Sequence, residues 1–339
     1  MTHDILSMNL AEIEALMTEL GQPAYHAKQI FGWLHQNNVT SFSDMTNVSK
    51  SLRAELEASG HIASVNIAKR IESQNDDTVK YLFTLNDNTQ IESVLMKYSH
   101  GYSVCVSTQA GCKMGCTFCA SGENFSRNLT AGEICAQVYH ATRDCDRVGG
   151  VVLMGCGEPL DNFDAVMRFI ELISHPDGLN IGQRHITLST CGLVPRIFQL
   201  AEMKMQITLA ISLHAPSDDL RQTFMPIAKR YGLKELLSAC RHYIEATHRR
   251  ITFEYALARG VNDSPSHAKA LAKLLKGLNC HINLIPINKA RGAFSPTARK
   301  EALIFAEILQ ESRIQTTIRR SLGGDVGAAC GQLRSAAAR

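Results

Sequence analysis

The sequence predicts an α/β fold in which a partial parallel (β/α)6 barrel follows a small helical domain and a short β extension. From residue 102 onward, apolar strand candidates alternate with amphipathic stretches of helical length, which is typical of a parallel sheet. Residues 1–62 instead have helical periodicity, and residues 63–100 alternate as strands do. With 339 residues, of which 45% are hydrophobic, the chain can bury a large core.

The N-terminal helices are predicted from apolar spacing. Ile13 and Leu16 recur at helical spacing, residues 27–34 and 52–56 repeat the pattern, and Gly60 ends it. We therefore expect a helical accessory domain at 1–62. Residues 1–60 hold three Lys/Arg and seven Asp/Glu, a net charge of −4. Since the whole chain carries +3, the remaining residues carry +7. This asymmetry alone is weak support for an RNA partner.

The β extension at 63–100 is predicted to be an antiparallel unit. Residues 78–84 and 91–96 alternate in character and are separated by the turn-rich Asn86-Asp87-Asn88. The barrel is assigned to 101–322, with one helix start marked by a capping box, Thr130-Ala-Gly-Glu133. Its strand candidates are 102–107, 149–155, 185–190, 206–213, 251–258, 281–286 and, as a seventh, 315–319. Residues 323–339 form the C-terminal tail.

The most informative motif is Cys112-Lys-Met-Gly-Cys116-Thr-Phe-Cys119. Three thiolates on one short loop leave the fourth position of a cubane iron–sulfur cluster open to a substrate or cofactor. This spacing, with Phe118 before the last cysteine, resembles that of radical S-adenosylmethionine (radical SAM) enzymes. A zinc knuckle is the alternative, but zinc usually requires a second pair of ligands, and none stands nearby.

Further polar groups are predicted at the rim of the barrel, where functional side chains collect after the strands. Gly157 allows a ligand to approach the backbone closely, and Glu158 can accept a hydrogen bond from an ammonium group. Ordinary strand-end capping is the alternative for each of the other residues, but their recurrence at equivalent strand ends favours cofactor binding. These residues are Ser189, Ser212, Leu213, His214 and Asn288.

Two more cysteines stand outside the motif. Cys105 lies on the first barrel strand, and Cys330 lies in a near-terminal segment of small residues, 323–333. Such a segment has few side chains to pack, so it can enter a cavity and deliver one thiol. The chain has eleven cysteines, an odd number that indicates reduced thiols rather than a disulfide framework. It has no apolar run long enough to span a bilayer and no signal-peptide pattern at Met-Thr-His-Asp, so we expect a cytoplasmic location.

Together these motifs resemble one family, the RlmN and Cfr radical SAM RNA methyltransferases, nearly from end to end. The resemblance is carried, in order, by Cys105-Val-Ser-Thr-Gln-Ala-Gly-Cys112, the cysteine loop, Gly157-Glu-Pro-Leu, Leu188-Ser-Thr, Ser212-Leu-His, Asn288 and Ala328-Ala-Cys-Gly-Gln-Leu333. It implies that Cys112, Cys116 and Cys119 bind one 4Fe-4S cluster. It also implies a site for S-adenosylmethionine formed by Gly157, Glu158, Ser189, Ser212, Leu213, His214 and Asn288.

The resemblance also implies a mechanism with two molecules of S-adenosylmethionine per turnover. Adenine carbons 2 and 8 are electron-poor, so they do not displace the methyl group directly. Cys330 instead takes a methyl group from one S-adenosylmethionine, and a radical made from the second abstracts hydrogen from that methyl. The carbon radical adds to the base, which joins enzyme and RNA covalently. After the ring carbon loses a proton, Cys105 attacks Cys330 to form a disulfide and release the methylated base. Glu92 matches the proposed acid/base carboxylate.

Within the family, Gly157-Glu-Pro159-Leu resembles the RlmN side, because Cfr proteins tend to have alanine after the glutamate. We therefore expect methylation of carbon 2 of an adenosine in 23S rRNA, with tRNA as a possible second substrate, and keep carbon 8 as the alternative. Cys156 departs from the family's usual methionine. The resemblance implies an external electron donor such as flavodoxin. We further expect a monomer, no membrane partner, and contact between RNA and the N-terminal domain.

Two other function classes stay open at this point. A radical SAM enzyme acting on a peptide or small molecule would need neither Cys330 nor Cys105. A non-catalytic RNA-binding protein with a structural cluster would have no use for Glu158, Ser189 and Asn288 together. Release of 5′-deoxyadenosine, and its dependence on RNA, separates these alternatives.

Overall fold

The computed structural model describes residues 3–122, 124–287, 294–320, 322–328 and 332–333. We refer to 322–328 and 332–333 as the C-terminal segment. The strands are β1 (His3–Asp4), β2 (Gly60–His61), β3 (Asn66–Glu72), β4 (Val79–Thr84), β5 (Gln90–Tyr98), β6 (Gly101–Cys105), β7 (Gln109–Ala110), β8 (Arg127–Asn128), β9 (Val148–Leu153), β10 (Ile186–Thr190), β11 (Thr208–Ser212), β12 (Ile251–Leu257), β13 (Cys280–Pro286) and β14 (Gln315–Ile318). The α-helices are α1 (Leu10–Glu19), α2 (Tyr25–His35), α3 (Lys50–Ser59), α4 (Ala131–Ala141), α5 (Phe163–Ser174), α6 (Val194–Glu202), α7 (Asp218–Phe224), α8 (Leu233–Thr247), α9 (Pro265–Leu274) and α10 (Arg299–Glu311).

Within the described residues, one large sheet has the strand order β14-β13-β12-β11-β10-β9-β6-β5-β4-β3. The strands from β6 and β9 through β14 pair in parallel, whereas β3, β4, β5 and β6 pair antiparallel. The two edge strands, β14 and β3, are not paired with each other in this order, so the barrel is partial. The predicted α/β fold class is therefore confirmed, and the β extension is continuous with the barrel sheet.

The predicted elements lie close to the observed ones. The capping box at the start of α4 is present, with the Glu133 N–H donating to Thr130 Oγ1 over 3.1 Å and the Thr130 N–H donating to Glu133 Oε2 over 2.9 Å. The first barrel strand was expected to reach residue 107, but β6 ends at Cys105. The Val106 N–H still donates to the Val152 carbonyl on β9 over 3.0 Å, but the Ser107 N–H donates to the side-chain oxygen of Gln137 on α4 over 2.9 Å, so the backbone leaves the sheet at Ser107.

The N-terminal helices pack directly against the barrel. The Arg168 guanidinium on α5 forms an ion pair with Glu12 on α1, with 2.9 Å between Nη2 and Oε1. His35 at the end of α2 is fully buried, and its Nδ1 lies 2.7 Å from the Tyr139 hydroxyl on α4. Buried apolar residues of α1 to α3 belong to the same core as those of the barrel. The helical part is thus fixed to the outer face of the barrel.

The loop between β3 and β4 holds the C-terminal segment. The Asp325 carboxylate accepts a hydrogen bond from the Ser73 hydroxyl over 2.8 Å, and the Gly323 N–H donates to Asp76 Oδ2 over 3.0 Å. Hydrogen bonds to Asp325, chiefly from the backbone of Gln74, lower its pKa. The antiparallel extension therefore positions a segment more than two hundred residues later in the chain.

Candidate active site

A cavity opens where the parallel strands end, and it collects most of the predicted site residues. The cavity has a volume of about 170 Å³. Its lining combines three parts: the cysteine loop, the loop after β9, and the ends of β10 to β14. The lining residues are Cys112, Met114, Cys116, Phe118, Cys119, Leu153, Met154, Gly155, Gly157, Glu158, Pro159, Ser189, Thr190, Cys191, Ser212, His214, Met225, Glu254, Ala256, Ile285, Ile287 and Arg319.

The cysteine loop follows β7 and presents its three thiols to this cavity. The Cys119 N–H donates to the Cys116 carbonyl over 3.1 Å, which tightens the loop. The Thr117 N–H donates to the Phe224 carbonyl over 3.0 Å, which anchors the loop to the end of α7. All three cysteines are half-buried. The sequence spacing thus brings three thiols to one wall of the cavity.

These residues fit an iron–sulfur cluster better than a single metal ion. Among the described residues, no group of three or more His, Cys, Asp or Glu side chains is placed to hold one ion. A cubane spreads its thiolate ligands over separate irons, so three cysteines on one cavity wall suit it, and the wall opposite them leaves room for a further ligand. Burial raises the pKa of Cys116 to about 12, so iron binding is what would deprotonate such a thiol.

Gly157 and Glu158 form the floor of the cavity. Gly157 has a φ of +108°, and a Cβ there would lie 2.6 Å from the side chain of Gln109, so only glycine fits. The Glu158 carboxylate accepts the Leu160 N–H over 3.0 Å and the Cys191 N–H over 2.8 Å. Burial raises its pKa, and hydrogen bonds from the backbone of Cys191 and Leu160 and from the side chains of Thr190 and Cys191 partly offset the effect.

His214 is held as a neutral imidazole. It is buried at the end of β11, and burial lowers its pKa to about 3. Its Nδ1 accepts the Ala256 N–H over 3.0 Å, so the proton sits on Nε2. The ring of Phe118 from the cysteine loop meets the imidazole edge to face, with 4.9 Å between ring centroids. His214 thus joins β11, β12 and the cysteine loop.

The remaining rim predictions fall into three groups. Ser189 and Ser212 line the cavity, as the sequence predicts. Leu213 is fully buried and packs in the main apolar core, outside the set of cavity-lining residues. Asn288 lies outside the described residues.

Glu254 and Arg319 also line the cavity, and sequence reasoning missed both. Glu254 is 5% exposed on β12, and its carboxylate accepts hydrogen bonds from the Asn283 side-chain amide over 3.0 and 3.3 Å. Burial raises its pKa, whereas the charge of Arg319 lowers it. A signal was present, since Glu254 is the one charged residue inside the apolar strand Ile251–Leu257. Such a residue facing a barrel interior usually serves the site.

Cys105 lies at the end of β6, beside the C-terminal segment. It is 8% exposed and packs in an apolar cluster with Val94, Met96, Ala328 and Leu333. The Ser121 hydroxyl, two residues after the cysteine loop, donates to the Leu333 carbonyl over 2.7 Å. Residues on both sides of 329–331 are thus fixed near Cys105 and the cysteine loop. Cys330 itself lies outside the described residues.

Glu92 is buried on β5 and forms an ion pair with Lys80 on β4. The distance from Lys80 Nζ to Glu92 Oε1 is 2.9 Å, and both side chains are about one-tenth exposed. The same Lys80 ammonium donates to the Gly327 carbonyl over 3.0 Å. Lys80 thus joins Glu92 to the C-terminal segment. The sequence signal for Lys80 was a charge inside an apolar, alternating strand.

Cys156, the departure from the family pattern, is 1% exposed on the loop after β9. Its N–H donates to the Ser107 hydroxyl over 2.9 Å, and its carbonyl accepts the N–H groups of Thr108 and Gln109. Burial raises its pKa, whereas a hydrogen bond from Ser121 lowers it. The backbone at this position therefore ties the loop to the end of β6, and the thiol is shielded from solvent.

Two family models match parts of this chain. Residues 3–62 match the family model of the ribosomal RNA large subunit methyltransferase N-terminal domain, and residues 106–272 match that of the radical SAM superfamily. The chain is 53% identical over 334 residues to a probable dual-specificity RNA methyltransferase RlmN of Clostridium novyi (strain NT), covering 98% of this chain and 97% of that protein. The chain belongs to the RlmN family.

Other members of the RlmN family agree. The probable dual-specificity RNA methyltransferase RlmN of Alkaliphilus oremlandii is 51% identical, with 98% of this chain and 97% of that protein covered. The crystal structure of a radical SAM methyltransferase from Sphaerobacter thermophilus superposes with a TM-score of 0.93 at 43% identity, covering 97% of this chain and 98% of that one. The protein is therefore a radical SAM RNA methyltransferase, and membership implies S-adenosylmethionine and a 4Fe-4S cluster. None of the helices in the described residues is long and apolar enough to cross a membrane.

Proposed function

We propose that this enzyme methylates carbon 2 of an adenosine in 23S rRNA, with tRNA as a second substrate. The RlmN relatives named above support an RNA substrate, and the words "dual-specificity" in their names support two kinds of target. Pro159 after Glu158 supports the RlmN side of the family over the Cfr side. Methylation of carbon 8 remains the competing outcome of the test.

The observation that carries the proposal is the set of contacts around Cys105. Ala328 and Leu333, which flank 329–331, share one apolar cluster with Cys105. A thiol between them and a thiol on β6 are the two groups needed to carry a methyl-derived carbon and then release it. We assign Cys330 as the methyl carrier and Cys105 as the residue that resolves the covalent intermediate.

The cysteine loop would hold the cluster through Cys112, Cys116 and Cys119. When bound, the cluster and S-adenosylmethionine supply a 5′-deoxyadenosyl radical. Two molecules of S-adenosylmethionine are used per turnover, one as methyl donor and one as radical source. Glu158 would accept a hydrogen bond from the amino group of the cofactor, and the small side chains Ser189 and Ser212 would face its polar groups.

Glu92 would act as the acid/base carboxylate, and Lys80 would set its position. The Glu92 carboxylate would accept the proton from the ring carbon, and its ion pair with Lys80 holds it in place. Because Lys80 also binds the Gly327 carbonyl, the carboxylate and the methyl-carrying segment are positioned by one ammonium group. Proton removal and release of the base by Cys105 can then occur at the same place.

The acidic N-terminal domain would contact RNA by shape or through a local patch, while the net positive charge of the rest of the chain would attract the RNA phosphates. The target adenosine must leave its stack to reach the cavity. A one-electron donor such as flavodoxin would reduce the cluster, and the enzyme would act as a monomer in the cytoplasm. Deletion of residues 1–60 removes helices that share the core of the barrel, so the folding and iron content of the truncated protein are checked first. A folded, iron-loaded truncated protein should bind RNA more weakly, measured by filter binding, and equal RNA affinity would refute this role.

The regiochemistry is tested by product analysis. The cluster-reconstituted enzyme is incubated without oxygen with unmodified 23S rRNA, a reductant and S-adenosylmethionine. The nucleosides are then compared by mass spectrometry with both methyladenosine standards. We expect 2-methyladenosine, whereas 8-methyladenosine would move the chain to the Cfr activity. The same assay with unmodified tRNA tests the second substrate.

A further inference from the structure

Arg221 is a buried cation that the proposed mechanism does not use. It lies on α7 and has 0% of its surface exposed. Its guanidinium donates only to backbone carbonyls: Nη2 to Cys191 over 2.6 Å and to Ser212 over 3.2 Å, and Nε to Leu213 over 3.2 Å. These carbonyls lie at the ends of β10 and β11, next to the residues that line the cavity.

The charge of Arg221 has no close counter-ion among the described residues. None of the ion pairs within 4.0 Å found there includes this guanidinium. Its Nη1 is buried and makes no hydrogen bond in the described part of the chain. Burial lowers its pKa, and Asp218 on the same helix acts on it only from a longer range. A buried charge without a counter-ion is destabilising, so the position of Arg221 suits a neighbouring anion.

The cysteine loop is the neighbour that can supply this anion. The loop is hydrogen-bonded to the last residue of α7, through the Thr117 N–H and the Phe224 carbonyl. Cys116 and Phe118 of the loop pack in one apolar cluster with Phe224. The helix that carries the unpaired cation is therefore the helix on which the cysteine loop rests.

We propose that Arg221 is the counter-charge of the iron–sulfur cluster and raises the cluster's reduction potential. A cubane core with two positive charges held by three thiolates is net negative, and reduction by one electron adds another negative charge. A fixed cation nearby therefore stabilises the reduced form more than the oxidised form. This inference rests on the proposed cluster at Cys112, Cys116 and Cys119. Arg221 is a positioning residue, because it touches neither substrate nor the reacting atoms.

The test compares two substitutions that separate charge from hydrogen bonding. Arg221→Gln removes the charge and keeps a polar side chain, whereas Arg221→Lys keeps the charge and changes the hydrogen bonds. Each reconstituted protein is titrated with a reductant in the presence of redox mediators, and the reduced cluster is followed by electron paramagnetic resonance. For R221Q we expect the equilibrium constant of reduction to fall about tenfold, a shift of about −59 mV for a one-electron couple. For R221K we expect a potential close to that of the wild type.

Iron and sulfide content are measured first, so that two failures stay distinct. A wild-type protein that takes up no cluster would contradict the proposed function and, with it, this inference. A loaded R221Q protein with the wild-type potential would overturn this inference alone. If R221Q does not fold, the test depends on R221K. A wild-type reduction potential in R221K supports the assignment of Arg221 as the counter-charge. A shifted potential would mean that Arg221 acts by holding the three carbonyls, and would overturn the assignment.

Discussion

The cysteine loop and the C-terminal segment are held in place by different means. The loop places Cys112, Cys116 and Cys119 within eight consecutive residues, and its own hydrogen bond between Cys119 and Cys116 shapes it. In the C-terminal segment, the described residues 323–328 form a turn in which the Val326 and Ala328 N–H groups donate to the Gly323 carbonyl. Side chains of the β extension fix it, through Asp76, Lys80 and the Asp325 contact with Ser73.

The difference teaches which part of the chemistry depends on distant parts of the chain. Cluster binding would depend on a local motif, the cysteine loop. The proposed methyl transfer through Cys330 would depend on the antiparallel strands β3 to β5, because these strands supply Lys80 and Glu92 and their loop holds residues 322–328, which precede Cys330 in the chain. Damage to the two regions should therefore have separable effects, on cluster content in one case and on methyl transfer in the other.

The largest effect is expected from the cysteine loop itself. Cys116→Ser removes one of three cluster ligands, and we expect the iron–sulfur absorbance to disappear and methylation to fall by more than about 1000-fold. Iron content, visible absorbance and product formation measure this. The control is Cys145→Ser, a half-buried cysteine whose side chain donates to the Ala141 carbonyl and that should keep both cluster and activity. A C116S protein with normal cluster content would remove Cys116 from the ligand set.

A smaller effect that spares the cluster is expected from Lys80→Met. The substitution leaves the Glu92 carboxylate without its buried partner Lys80 and frees the Gly327 carbonyl. We expect methylation to fall about 30-fold, equivalent to about 2 kcal/mol, at unchanged iron content. Lys69→Met, at an exposed position on β3, is the matched control. Loss of the cluster in K80M, or full methylation, would contradict the division between the two regions.

The smallest effect is expected from Asp325→Ala. This exposed carboxylate ties the C-terminal segment to the β3–β4 loop through Ser73 and Gln74. Its loss should lower the rate of methyl transfer about twofold to fivefold, because the segment keeps its contacts with Lys80 and Cys105. Single-turnover rates at saturating RNA measure this, with Asp146→Ala, an exposed position before β9, as control. An effect as large as that of K80M would mean that Asp325 is the main anchor.

The sequence predicts the local features of this protein well and the distant contacts poorly. The parallel strands, the α4 capping box and the cysteine loop each depend on residues close together in the chain. Arg221 could not be found that way, and the alternating pattern around Lys80 marks a charge inside a strand without giving its partners. The roles we assign to them depend on contacts with Gly327 and with the carbonyl of Cys191, which only the folded sheet brings near. For Leu213, the local motif Ser212-Leu-His predicts a position at the rim of the cavity, whereas the side chain packs in the apolar core.

The central claim is that a carbon is carried on Cys330 and released by Cys105. The most direct test is anaerobic turnover of the Cys105→Ala enzyme with 23S rRNA, followed by digestion and mass spectrometry of any RNA that stays attached to protein. We predict a covalent adduct between an adenosine and the peptide that contains Cys330, and no adduct in the Cys105→Ala/Cys330→Ala double variant. Full release of methylated RNA by the Cys105→Ala enzyme, with no adduct, would contradict the account.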